Sequence, residues 1–249
     1  MRTSWKHRAV AVAVAAAALT ATAAPVQAAP TAFVQNADGS RSYGGYVVRG
    51  EILRCYVGLG AEQGFLGRPF SEESGPERGY GFRQSFQGGE VYWTPATGAH
   101  VVKGEILDEY RHENYNLGWL GYPVSDEIPV RGGVIQRFQG AVVYWSPATG
   151  AHPVRGAIMD RYAQDRWETG RLGFPTSGEQ AVYGGAVQTF QGGDVYWSPA
   201  TGAHAVVGGI KEVYDHFDGL DGNGFPLGEE YRTRTGWRQD FQDAYILFG

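Results

Sequence analysis

The feature that most constrains this chain is a fixed internal period. Phe-Gln pairs recur at Phe86-Gln87, Phe138-Gln139, Phe190-Gln191 and Phe241-Gln242, at spacings of 52, 52 and 51 residues. Two more anchors keep the same register. Leu-Gly-x-Pro turns end at Pro69, Pro123 and Pro175, and a variant, Asn-Gly-Phe-Pro, ends at Pro226. Tyr92-Trp93, Tyr144-Trp145 and Tyr196-Trp197 each run on through Pro-Ala-Thr-Gly-Ala to His100, His152 and His204. A period of this length describes like units that bury a face against their neighbours, because one such unit cannot bury its apolar face alone.

Within a unit the pattern changes character in a fixed order. A short apolar strand such as His100-Val101-Val102 comes first, then a Gly, then apolar residues at helical spacing. The helical positions are Ile52, Leu53 and Tyr56; Ile106, Leu107 and Tyr110; Ile158, Met159 and Tyr162; Ile210 and Tyr214. Helices of about two turns cannot stand alone in water. The Leu-Gly-x-Pro turn stops each one, and a two-strand hairpin closes the unit. The first hairpin strand begins at Gly81, Gly133, Gly185 and Gly236, and the second carries Val-Tyr-Trp in the first three copies. With 38 Gly and 14% aromatic residues, short strands and tight turns are expected over long helices.

The fold expected is therefore mainly β with short helices, a propeller-like closed ring of four or five repeats of about 52 residues. The units run over about 46–99, 100–151, 152–203 and 204–249. The fourth stops at Phe248 in the Trp position and lacks a final strand, whereas Tyr46-Val47-Val48 supplies such a strand at the other end. Pairing the two would close the ring and remove exposed sheet edges. Residues 29–45 form an N-terminal segment, with Phe33-Val34-Gln35 as a strand of a degenerate fifth unit.

Residues 1–28 read as a signal peptide: Arg2, Lys6 and Arg8 precede an Ala/Val/Leu run, and Val26-Gln27-Ala28 fits a cleavage site. The chain is then secreted, with no membrane insertion, since no later segment approaches the roughly 20 apolar residues of a span. Loss of those three cations takes the net charge from −5 to −8. That charge disfavours nucleic acid, whose binding relies on Lys and Arg. One cysteine, Cys55, allows no internal disulfide.

The Leu-Gly-Phe-Pro run at 172–175, the Ser-x-Glu after it and the period resemble the LGFP-repeat family, over about residues 46–249. The resemblance implies a secreted or surface-attached actinobacterial protein, attachment to cell-wall polysaccharide, and a propeller-like ring. This sequence departs from the motif at Arg68, Tyr122 and Asn223.

The hairpin aromatics Tyr92, Trp93, Tyr144, Trp145, Tyr196 and Trp197 are candidate ligand-binding residues, because sugar rings have apolar faces that stack on aromatic side chains while their hydroxyls need fixed polar partners. Neighbours on a strand face opposite ways, so one of each pair is expected in the core and the other exposed or at a seam. Gln87, Gln139 and Gln191 are candidate polar contacts, as are His100, His152 and His204, which otherwise bond the turn. Tyr46 replaces the first His, and neither metal nor cofactor is expected. Gln84, Gln136, Gln188 and Gln239 share a face with the core Phe and should bond backbone. Glu73, Glu127, Glu179 and Glu230 recur after the proline, and a structural role accepting turn N–H groups is expected for them.

Repetition favours binding over catalysis, because several weak copies gain through effective concentration. The leading expectation is a secreted, lectin-like module for bacterial cell-wall or cell-surface polysaccharide that is not an enzyme. Alternatives are a recognition subunit among other secreted subunits of a larger, antibacterial complex, and a wall hydrolase using the repeated carboxylates.

Overall fold

The computed structural model describes residues 33–77 and 79–249; the expected signal peptide, residues 1–28, lies outside them. Antiparallel meanders alternate with helices. The first sheet is β1 (Phe33–Gln35), β2 (Arg41–Tyr43) and β3 (Tyr46–Val48), followed by α1 (Gly50–Gly58). The second is β4 (Ser74–Glu77), β5 (Gly81–Phe86), β6 (Gly89–Thr94) and β7 (Gly98–Val102), followed by α2 (Gly104–His112). The third is β8 (Ile128–Val130), β9 (Gly133–Arg137), β10 (Val142–Ser146) and β11 (Gly150–Val154), followed by α3 (Gly156–Gln164). The fourth is β12 (Gln180–Val182), β13 (Gly185–Phe190), β14 (Gly193–Ser198) and β15 (Gly202–Val207), followed by α4 (Gly208–His216) and α5 (Gly219–Asn223). The fifth is β16 (Tyr231–Arg232), β17 (Trp237–Asp240) and β18 (Tyr245–Phe248).

The expected closure of a ring by the chain ends is not formed. β3 pairs with β2, Tyr43 opposite Tyr46, and β18 pairs with β17. Gly44 and Gly45 both have positive φ, +58° and +98°, and form a two-residue reversal that brings β3 back on β2 at once. Local pairing needs far less loop closure than joining strands about 200 residues apart. Phe33–Gln35 does form a strand, which joins β2 and the Tyr46–Val48 strand of the first unit in one sheet. The strand that opens each sequence unit is also hydrogen-bonded into the preceding sheet, as with Tyr92 opposite His100.

Four apolar clusters lie between successive sheets, each around one of the helices α1 to α4. An aromatic triad runs through every one. Tyr43, Tyr92, Tyr144 and Tyr196 meet Tyr56, Tyr110, Tyr162 and Tyr214 edge-on at 5.1–5.4 Å. Those helical tyrosines lie 4.6–4.8 Å from Phe86, Phe138, Phe190 and Phe241 of the next sheet. A Tyr from one sheet, a Tyr from the helix and a Phe from the next sheet thus share one core.

The Leu-Gly-x-Pro turn is consumed by this scaffold. Leu66, Leu120 and Leu172 are fully buried. The Gly carbonyl accepts the helical Tyr hydroxyl, at 2.6 Å in the Tyr56–Gly67 pair and 2.7 Å in Tyr110–Gly121 and Tyr162–Gly173. Gly121 has φ +68°, which excludes most L side chains. Pro69, Pro123, Pro175 and Pro226 bridge to Phe86, Phe138, Phe190 and Phe241. The variable residue reaches back over the preceding sheet: a Cβ on Gly81 would meet Tyr122, and one on Gly185 would meet Phe225. Asn223, in the Leu position, is buried and donates to Phe217 O and Gly219 O.

Gln84, Gln136, Gln188 and Gln239 join neighbouring sheets. Each Nε2 donates to a carbonyl on the last strand of the preceding sheet, Val47, Val101, Pro153 and Ala205, at 2.8–3.0 Å. Each also donates to its own turn segment, at Ser71, Ser125, Ser177 and Gly228.

Candidate functional site

Each interior sheet is covered on both faces, so adjacent hairpin aromatics separate. Tyr92, Tyr144 and Tyr196 point into the following core and are 0%, 3% and 9% exposed. Trp93, Trp145 and Trp197 pack on the edge of the preceding core and remain half-buried. Of the candidate aromatics, the tryptophans alone therefore present a face at the seam.

Three equivalent clefts open at those tryptophans. The first, about 300 Å³, is lined by Arg49, Gly50, Ile52, Glu73 and Trp93. The second, about 330 Å³, uses Lys103, Gly104, Ile106, Glu127 and Trp145. The third, about 240 Å³, uses Arg155, Gly156, Ile158, Glu179 and Trp197. In each, a helix start forms one wall, the glutamate after the proline a second, and the indole a third.

The helix-start glycines Gly50, Gly104 and Gly156 have φ of +55°, +56° and +53°, and no heavy atom lies within 4 Å of where their Cβ would stand. Glycine is thus required by conformation alone, and the space beside it is open. The basic residue before it reaches the glutamate: Arg49 to Glu73 at 3.7 Å, Arg155 to Glu179 at 2.9 Å, and Lys103 to Glu127. Burial pushes the Glu73 carboxyl above its usual range, against the pull of Arg49. Arg155 also lies over the exposed Trp119 ring at 4.2 Å, and Lys103 over Phe65 at 6.0 Å.

The structure gives the recurring glutamates a different partner from the turn N–H groups expected. Glu73, Glu127 and Glu179 pair with the cation at the helix start, and Glu230 pairs with Arg171. The backbone acceptor is the residue before them: Val101 N donates to Asp126 at 2.9 Å and Ala205 N to Glu229 at 3.2 Å. That exchange follows from the glutamate facing the cleft while its neighbour faces the strand.

The histidines are turned inward. Nε2 of His100, His152 and His204 donates to the carbonyls of Thr97, Thr149 and Thr201 at 2.8–2.9 Å, closing the Pro-Ala-Thr-Gly loop. The glutamines after Phe are exposed, but their Oε1 is occupied: Gln87, Gln139 and Gln191 accept from Arg68 N, Tyr122 N and Phe174 N at 2.9–3.0 Å. Sequence reasoning placed a glycine before each helix but missed the cation before that glycine, whose signal is the Arg/Lys-Gly pair that begins at Arg49, Lys103 and Arg155. Among the described residues no cluster of three His, Cys, Asp or Glu side chains is placed to hold a metal ion, and no helix is long and apolar enough to cross a membrane.

The fourth seam differs. Phe248 takes the Trp position, and a Cβ on Gly209 would stand 2.3 Å from its ring. Val207 replaces the cation. The phenyl ring packs against Gly209, at the position of Glu51, Glu105 and Ala157 in the other seams, while the space beside the helix-start Gly208 stays open.

Compared with known families, residues 66–118, 120–170 and 172–222 match the LGFP repeat. No curated protein matches the chain.

Proposed function

The chain belongs to the LGFP repeat family, and from that premise we propose that it is a secreted binder of bacterial cell-wall or cell-surface polysaccharide, holding sugar at Trp93, Trp145 and Trp197. The observation that carries this reading is the recurrence of one open cleft at three seams, each with an indole wall and an ion-paired Arg/Lys–Glu wall. An apolar face beside fixed donors and acceptors suits a pyranose, whose rings are apolar and whose edges are hydroxylated. The family's own signature residues are spent on packing, so recognition falls to side chains outside the motif.

Three clefts on one chain support binding to a polymer. A weak contact at each seam adds to the others through effective concentration when the ligand repeats. A hydrolytic role has less support: Ala157 stands in the third cleft where Glu51 and Glu105 stand in the first two. What all three share is a single glutamate paired with a cation, not a carboxylate pair flanking a bond.

Retention on purified wall polysaccharide tests the proposal. Wild-type protein should be retained, each Trp→Ala change should weaken binding about tenfold or less, and Trp93→Ala/Trp145→Ala/Trp197→Ala should abolish it. A wild-type protein that flows through, or a triple variant retained equally well, overturns it.

A further inference from the structure

The third module, the sheet β8–β11 with the helix α3 that follows it, holds a second kind of cavity, on the opposite face of its sheet from the indole of Trp145; the second and fourth modules are the sheets β4–β7 and β12–β15 with α2 and α4. It is about 460 Å³ and is lined by Ile135, Val142, Tyr144, Met159, Ala163 and Trp167, with Arg137 and Glu168 also on its wall. Its neighbours fill the same place with charge. In the second module Glu90 stands where Val142 does, Arg83 where Ile135 does and Arg111 where Ala163 does, and Glu90 pairs with Arg83 at 3.5 Å and Arg111 at 2.9 Å. In the fourth, Asp194 and Lys211 stand at the Val142 and Met159 positions and pair at 2.7 Å.

The change strands a hydroxyl. Tyr92 donates to Glu90 at 2.6 Å, and Tyr196 bonds Asp194. Tyr144 is 3% exposed, lines the cavity, and has only the thioether of Met159 at 4.0 Å. A thioether is a weak acceptor, and a buried hydroxyl without a good partner is costly. Tyr43 also has a buried, unpartnered hydroxyl. The missing acceptor alone therefore does not define the site; the combination of apolar cavity and hydroxyl in the third module does.

We infer that this cavity binds a neutral, largely apolar small molecule carrying one oxygen acceptor, of the ketone, ester or ether class, which takes the hydrogen of the Tyr144 hydroxyl. The wall is mostly apolar, and Arg137 and Glu168 contribute one charge of each sign, so a charged ligand would lose its water against this wall with no net countercharge. The half-exposed Trp167 ring offers a flat cover for the bound body.

Titration with the neutral dye Nile red, which carries a ring carbonyl, tests this. One dye should bind per chain with increased fluorescence, and Ala163→Arg, which restores the second module's arginine, should weaken it at least about tenfold. A naphthyl methyl ketone should displace the dye about fivefold to tenfold better than ethylnaphthalene of the same shape, and Tyr144→Phe, which leaves the packing intact, should erase that preference. Absence of dye binding, equal binding by Ala163→Arg, equal competition by ketone and hydrocarbon in the wild type, or an unchanged preference in Tyr144→Phe would each overturn the inference.

Discussion

Gln136 shows how much one side chain holds together. Its two amide hydrogens reach Val101 O at 2.8 Å and Ser125 O at 2.9 Å, so the amide nitrogen must face those carbonyls, which only accept. Gln136→Leu orphans both in a buried site and should cost about 2–4 kcal/mol, read as a lower urea midpoint with an unchanged slope. His204 offers a pH test. Its Nε2 donates to Thr201 O, and its Nδ1 lies 3.2 Å from Glu229, whose hydrogen bond raises the His204 pKa. Although burial opposes it, His204 and Arg161 hold the Glu229 carboxyl down to about 2. The raised histidine stabilises fully below its unfolded value of about 6.5 and loses that contribution as pH rises through the folded value; the depressed glutamate stabilises above about 4.3 and loses its share as pH falls toward 2. Glu229→Gln should lower the His204 pKa in an NMR titration and flatten the stability maximum between those limits. The backbone role of the buried glutamines was legible from strand alternation. The pairing of Asp126 and Glu229 with histidine was not, because the partners are 26 and 25 residues apart and meet only when two sheets stack.

Each helix is short, and its start is set by backbone conformation. None of α1 to α4 has a side-chain N-cap; each begins on a glycine with φ between +53° and +56°. Gly104→Ala meets no steric obstacle yet should cost about 1–2 kcal/mol, because a left-handed L residue is strained. Thermal melting checks this, and a loss below a few tenths would refute it. The helices and hairpins were readable in sequence because 3.6-residue and two-residue periods stand side by side in every copy. The strands Ser74–Glu77, Ile128–Val130, Gln180–Val182 and Tyr231–Arg232 were not, since two to four residues carry too little pattern. Tyr43 also escaped recognition as the first member of the hairpin Tyr series: Gly44-Gly45 replaces the whole Trp-to-Ala loop, so the surrounding signature is gone.

At the scale of the molecule, every core is shared by one sheet, one helix and the next sheet, so stability passes between nearest neighbours. Phe241→Ala, in the last core, should release residues 219–249 to fast amide exchange while residues 128–207 keep their protection. Phe138→Ala, in an interior core, should lower protection on both sides of the damage. Hydrogen exchange with mass spectrometry separates these outcomes. The repeat itself was plain from the period, but whether four or five units were present was not, and neither was ring closure. Complementary strands at the two ends suggested it, whereas the tight Gly44-Gly45 reversal gives β3 a partner before any distant strand can compete.

Tyr and Trp, adjacent on one strand, look toward opposite neighbours, and that has a consequence for how such chains grow. Each interior sheet presents a tyrosine on one side and an indole on the other, although the groups around the tyrosine differ from sheet to sheet. A segment cut from one helix-start glycine to the next carries a complete set of complementary faces. Copy number can change by whole units while the aromatic triad is kept at each join, provided that charged pairs such as Glu90–Arg111 are matched, and each copy gained brings one more indole-lined seam. The phenyl ring of Phe248, packed against Gly209, stands where the other seams carry an indole.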